Sequence, residues 1–198
     1  MTAVALPSTP GPSSISWSVV DFGSTIRGAG GGSAQRKNKL GNRWMVTVSM
    51  PPMGIEDAEQ WAFNLTRGLR DGVTWEVRQH GNVSTPSGTV RVAGAGQTGT
   101  EIDLDGFTPG YVVKFGQWFA IETSSQLYLY KSGTNVLVGA GGTATLQLEP
   151  VLRVSPADND LVRIGPAVMQ GILTGPPKWD GNPAKLTSGF DFSIEETK

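Results

Sequence analysis

The stretch Arg43-Trp-Met-Val-Thr-Val-Ser-Met-Pro-Pro-Met53 decides the fold class. Trp44, Val46, Val48 and Met50 recur every second residue, the period of a strand with one buried face. Pro51-Pro52 ends that strand, because proline has no N–H to give to a ladder. Downstream, Ile55, Ala58, Trp61, Ala62, Leu65 and Leu69 follow the three-to-four spacing of a single apolar helical stripe, and Trp61 falls in the core. Glu56, Asp57 and Glu59 near the start of this helix and Arg67 and Arg70 near its end complement the helix dipole. Val73, Trp75 and Val77 then alternate with Thr74, Glu76 and Arg78, completing a strand–helix–strand block. Upstream, Ile15, Trp17 and Val19 alternate with Ser14, Ser16 and Ser18 and predict one more strand.

From about Gly81 the texture changes to short strands separated by Gly-rich turns. They are expected over 89–92, 101–104, 111–115, 118–122, 126–131, 144–148 and 161–164. Spacing of roughly ten residues is that of a small barrel or sandwich. After Gly165 come a strand over 168–173, a loop carrying Pro176-Pro177 and Trp179, and a last strand with Phe190, Phe192 and Ile194 on one face. A terminal strand needs a sheet to pair with, so this segment is expected to rejoin the first block. The fold is expected to be mainly β, with residues 1–82 and 165–198 forming one domain and residues 83–164 a second, inserted one.

Composition agrees. Glycine accounts for 27 of 198 residues, twice the usual ~7%, and charged residues for 17% where ~25% is usual. A net charge of -1 gives no global field to draw in nucleic acid or an anionic membrane. The absence of cysteine excludes disulfides, a thiolate nucleophile and Cys-based zinc sites. The long uncharged stretch from Ser132 to Leu148 is broken by Gly139, Gly141 and Gly142 and is unfit to span a membrane. The first charged side chain is Asp21, so the N-terminus lacks the basic region of a signal peptide, and a soluble protein is expected.

No residue set for catalysis, cofactor binding or metal binding stands out. His80, the sole histidine, lies beside a Gly81-Asn82 turn signal and fits a loop position better than a general base. Gly94-Ala-Gly-Gln-Thr-Gly99 matches a dinucleotide-binding fingerprint by letter, but a strand-like Glu101-Ile-Asp-Leu-Asp follows where a helix must open. Glu101, Asp103, Asp105 and Gly106 resemble the front of a calcium loop, yet the twelfth position is Val112 and not a bidentate glutamate. No enzyme activity, cofactor or metal is expected.

The most unusual segment runs from Arg27 to Arg43, with Arg27, Arg36, Lys37, Lys39 and Arg43 and no acid. The surrounding connection is about 20 residues long where hairpin loops use about 2–5, so it is either a solvated loop or a binding arm that orders on a neighbouring acidic surface.

Several segments together resemble the distal tail, or tail-tip, proteins of long-tailed (siphovirus-like) bacteriophages. They are Arg43–Met53, the helix with Glu59-Gln60-Trp61, Gly94–Thr100, Asp105-Gly-Phe107, Leu148-Glu-Pro150 with Leu152-Arg153, Ser155-Pro-Ala-Asp158, and Ser188-Gly-Phe-Asp-Phe-Ser-Ile-Glu195. The resemblance implies a tail-tube-like β-sandwich with one flanking helix, interrupted by an inserted small β-barrel. It also implies a virion protein, six copies of which form a ring joining the tail tube to the tip hub or baseplate, with DNA passing through. A closed ring uses one heterologous contact repeated by rotation. The bore should avoid phosphate attraction, so Arg36, Lys37 and Lys39 are expected to face protein partners. Arg27 and Arg43 belong to the same expected contact loop. The alternative is a receptor- or glycan-binding module of the tail tip, in which exposed Trp118, Tyr128 and Tyr130 stack on sugars, although Leu127 and Leu129 give their strand at least one core face.

Overall fold

A computed structural model describes residues 3–28, 30–79, 81, 85–182 and 187–197. The chain is mainly β, with 45% strand and 9% helix. The first segment holds β1 (Val4–Ala5), β2 (Ser14–Val20), β3 (Ser24–Ile26), β4 (Gln35–Lys37), β5 (Arg43–Ser49), β6 (Met53–Gly54), α1 (Ile55–Asp71) and β7 (Val73–Val77). The second holds β8 (Arg91–Val92), β9 (Glu101–Asp105), β10 (Val112–Val113), β11 (Trp118–Thr123), β12 (Gln126–Ser132), β13 (Val136–Leu137), β14 (Ala144–Glu149) and β15 (Leu161–Ile164). The chain ends with β16 (Ala167–Leu173), β17 (Lys178–Asn182) and β18 (Thr187–Glu196).

Strands from both sides of the middle segment build one sheet in the order β1-β7-β16-β18-β5-β2, with β6 and β17 also pairing β18. Laid flat, β2 and β7 would stand about 19 Å apart at the usual strand spacing. The rings of Trp17 and Trp75 are nevertheless 6.0 Å apart, so the sheet curls around a shared core. On its inner face lie Val46, Val48, Phe190, Phe192 and Ile194, packed with Trp61 and Leu65 of α1. The middle segment closes a six-stranded barrel, β11-β12-β14-β9-β8-β15.

The helix buries Ala58, Trp61, Leu65 and Gly68. Ile55 and Leu69, expected in the stripe, are about half exposed (48% and 49%). Gly68 takes the place of Leu69 because the helix there approaches β7 too closely for any side chain: a Cβ would sit 2.3 Å from Val73 Cγ1. Gly72, at φ 77°, then ends the helix, its N–H donating to Gly68 O. Two further expectations are corrected. The loop expected around Trp179 contains β17, an edge strand paired with β18, and the Gly-rich basic segment contains the β3–β4 ribbon. Neither has apolar alternation, so neither carries a periodic signal.

The β11–β12 hairpin joins the two cores. Trp118, Ala120, Leu127 and Leu129 belong to the core of the curled sheet. Phe119, Ile121, Tyr128 and Tyr130, alternating with them, fill the barrel. Both faces are buried, which explains the near-continuous apolar runs Trp-Phe-Ala-Ile and Leu-Tyr-Leu-Tyr. Around Trp118 gather Trp17, stacked at 4.4 Å, and Trp44, edge-on at 4.8 Å. Truncating fully buried Leu129 to Ala is expected to cost about 3 kcal/mol and to lower sheet and barrel stability together. Urea unfolding followed by tryptophan fluorescence and far-ultraviolet circular dichroism should show one coincident, shifted transition; two separated transitions would mean the cores unfold independently.

Candidate functional site

Three features stand out on the surface and at the joint between the two cores. The first is the ribbon. Every described residue from Ser24 to Leu40 is exposed, and the strands pair Ser24 with Lys37, Thr25 with Arg36 and Ile26 with Gln35. Arg36 is not a free cation: it forms an ion pair with Asp21 and donates to Asn38 Oδ1 at 3.0 Å. The Asp21 carboxyl is held below the ordinary carboxylate range by the Gly23 N–H and by Arg36. Arg27, Lys37 and Lys39 are exposed and form no ion pair among the described residues. Arg43, expected to share this loop, instead opens β5; it pairs with Glu195 at 2.6 Å and its guanidinium lies 4.9 Å from the Phe22 ring centroid.

The second feature is the outer face of the curled sheet. Register aligns Ser14, Ser49 and Asp191 in one row, Ser16, Thr47 and Ser193 in the next, and Ser18, Met45 and Glu195 in a third. Thr47 and Ser193 share a hydroxyl hydrogen bond of 2.9 Å. This face presents small hydroxyls, and Arg43, the one cation in these strands, is neutralised by Glu195.

The third is a buried ion pair, Arg153 with Glu196, side chains 3% and 0% exposed. Strand alternation explains the position of the acid: Glu196 continues the inward series Phe190, Phe192, Ile194. Its Oε1 also accepts from Leu129 N at 2.6 Å, and its Oε2 from Trp44 N at 3.2 Å. Burial pushes the Glu196 carboxyl above its ordinary range, against the pull of Arg153 and of these two N–H groups. The Arg153 guanidinium lies over the rings of Tyr128 and Tyr130, at 5.1 and 5.9 Å. Sequence reasoning passed over this pair. The signal that could have found it is an acid in phase with an apolar strand face, which needs a cationic partner.

The expectation of exposed aromatics for sugar stacking is overturned. Trp118, Tyr128 and Tyr130 are 7%, 8% and 1% exposed, because their hairpin is covered on both faces. Their rings serve the two cores and Arg153. The Gly94–Gly99 motif forms the β8–β9 turn, with Gly94, Gly96 and Gly99 at φ 91°, 82° and 94°. Gln97 holds that turn, donating to Ala93 O at 2.9 Å and accepting from Asp103 N at 2.7 Å. Asp103 accepts from Thr145 Oγ1 across β9 and β14. Among the described residues no group of three or more His, Cys, Asp and Glu is placed to hold a metal, and no helix is long and apolar enough to cross a membrane. His80 lies outside the described residues.

Compared with protein-family models and with curated proteins, the chain matches none.

Removing one member of a buried ion pair leaves an uncompensated charge, whereas removing both charges while keeping an acceptor for the Leu129 N–H removes the problem. Glu196→Gln is therefore expected to cost about 3–5 kcal/mol, and the double change Arg153→Met with Glu196→Gln, which keeps an amide oxygen at that position, to recover most of that loss. Equilibrium urea unfolding of the two variants measures both; a double variant no more stable than the single one would refute the ion-pair account.

Proposed function

We propose that the chain is a structural ring component of a bacteriophage tail tip, of the distal-tail type, joining the tail tube to the tip hub or baseplate and letting DNA pass. The curled sheet with α1 is then the tube-like, sandwich-forming part, and the barrel the inserted part. Its partners are further copies of itself, a tail tube protein and hub proteins, in the virion. The function is mechanical and calls on no catalytic residue.

The observation that carries this reading is the hydroxyl-lined outer sheet face. A bore for a sliding polyanion must not neutralise phosphates, since each such contact strengthens binding and acts as a brake. Small hydroxyls with one paired arginine and the acid Asp191 meet that demand. Among the described residues the seven-residue strand β2 pairs with β5 alone, and its other edge is a surface on which a neighbouring copy can continue the sheet. The cationic ribbon follows that same strand in the chain, its described residues exposed.

Two experiments test the reading. Native mass spectrometry of the chain with its tube protein should show a closed ring; failure to assemble even on the tube would count against it. In assembled rings, Thr47→Lys together with Ser193→Lys should raise DNA retention several-fold in a salt-sensitive way. Changing Arg36, Lys37 and Lys39 to Ser should leave retention unchanged. The reverse pattern would put the ribbon in the bore and the sheet face outside it.

A further inference from the structure

Phe63 stands in the middle of α1 with 67% of its surface exposed, on the side where a helix packed over a core normally carries polar residues. One turn back on the same face lies Glu59, and two turns back Glu56. Both acids are exposed and belong to no ion pair among the described residues. Further along that face Arg67 and Arg70 share the single acid Asp71. The face is therefore apolar at its centre, anionic toward its N-terminal end and cationic toward the other. We infer that it is the docking surface for the β3–β4 ribbon of a second copy of the chain. This deepens the proposed function and rests on it in one respect, that copies of the chain meet one another.

The ribbon has two unlike faces. Strand alternation and register put Thr25 and Arg36 on one face and Ser24, Ile26, Gln35 and Lys37 on the other. The first is tied to its own chain, since Arg36 pairs with Asp21. The second has no such tie: Ile26 is 60% exposed, and Lys37, like the following Lys39, is exposed and in no ion pair among the described residues. It presents an apolar side chain beside a cation, the complement of Phe63 beside Glu59. The spacings agree as well. Diagonal neighbours across a strand pair lie about 7 Å apart, and helix residues one turn apart about 6 Å. Ile26 set on Phe63 thus brings the Lys37 ammonium to Glu59, and the surplus positive charge of Arg67 and Arg70 disfavours the reversed orientation.

Other surfaces match less well. On β9, Asp103 accepts from Thr145 and Asp105 stands opposite Arg91, with no large exposed apolar side chain in the strand. Val112, Phe115 and Leu137 are exposed on the barrel, but the stretches 106–121 and 132–148 that carry them contain no acid. Ile172 lies opposite Glu195, which is already bound to Arg43. A contact between two different patches of identical copies is heterologous, the kind that closes a ring by rotation. A ribbon of two three-residue strands covers far less than the roughly 1,200 Å² of a stable complex, so one contact is weak and repetition strengthens it.

The full chain, mixed in equal parts with its ¹⁵N-labelled form at sub-millimolar concentration and low salt, is treated with a carbodiimide that joins touching amines and carboxylates. The expected result is a crosslink between copies from Lys37 or Lys39 to Glu56 or Glu59, lost at high salt. Sedimentation velocity then compares two charge reversals, Lys37→Glu with Lys39→Glu and Glu56→Lys with Glu59→Lys. Each variant alone should associate at least about tenfold more weakly than wild type, because ribbon and helix then carry the same sign. Mixed in equal parts, the two should regain association, since each ribbon meets a helix of opposite charge; this recovery also shows that both variants are folded. Phe63→Ser should weaken association several-fold with circular dichroism unchanged. A wild-type chain that stays monomeric, crosslinks that join the ribbon to other carboxylates, or a mixture no better than its parts overturns the inference. Closed rings formed on the tube protein equally well by both variants would remove this contact and leave the proposed function standing. A ribbon–helix crosslink in a chain that closes no ring on that tube would keep the contact and remove the function.

Discussion

Two backbone N–H groups, those of Leu127 and Leu129, set the terms on which the two halves of the molecule meet. Strand β12 pairs β11 along its length but meets β14 only at Lys131 and Ser132, so this part of its other edge lacks a partner strand. Buried N–H groups must find acceptors. Leu127 N donates to Gln170 Oε1 on β16, and Leu129 N to Glu196 Oε1 on β18. The barrel thus completes its hydrogen bonding with side chains of the sheet. Glu196 needs a counter-charge in return, and Arg153, just past β14, supplies it from the barrel side. One carboxylate thereby ties β5, β12, β18 and the segment after β14 together, with the alternating side chains of β11 and β12 filling a core on each side.

That linkage suits a mechanical role. A part transmitting force between a tube and a hub has to behave as one body, and a hairpin shared by two cores resists hinging between them better than a linker would. Extensions that meet neighbours can then be slight, such as the outer edge of β2 and the exposed β3–β4 ribbon. In the proposed ring, paired Arg36 and Arg43 shape the chain's own surface, leaving Arg27, Lys37 and Lys39 as the cations available to a partner.

Much of the fold was legible in the sequence, and where it was not the reason is physical. Period-two alternation located β2, β5, β7 and the last strand, because each buries one face against a large core. The helix was equally plain, but its stripe ends on Gly68 and not Leu69, since close approach to Val73 is a tertiary fact with no local signature. Segments that bury little, β3 and β4, left no pattern to read. The site was less legible. Five cations close in sequence suggested one contact loop, yet Arg43 is bound to Glu195 from a strand 152 residues away. Aromatics at 118, 128 and 130 suggested an exposed platform because a hairpin buried on both faces resembles a surface rich in rings until its second cover is known. The ion pair of Arg153 with Glu196 depends on strands that close only in three dimensions.

The central claim is that this chain is a rigid block repeated around a DNA-conducting bore. Electron cryomicroscopy of the intact tail particle tests it most directly. The account predicts a closed ring of copies at the end of the tube, with the Ser16-Thr47-Ser193 row facing the axis and the barrels outside. A single copy standing apart as an appendage, or a ring whose bore is lined by the ribbon, would contradict it.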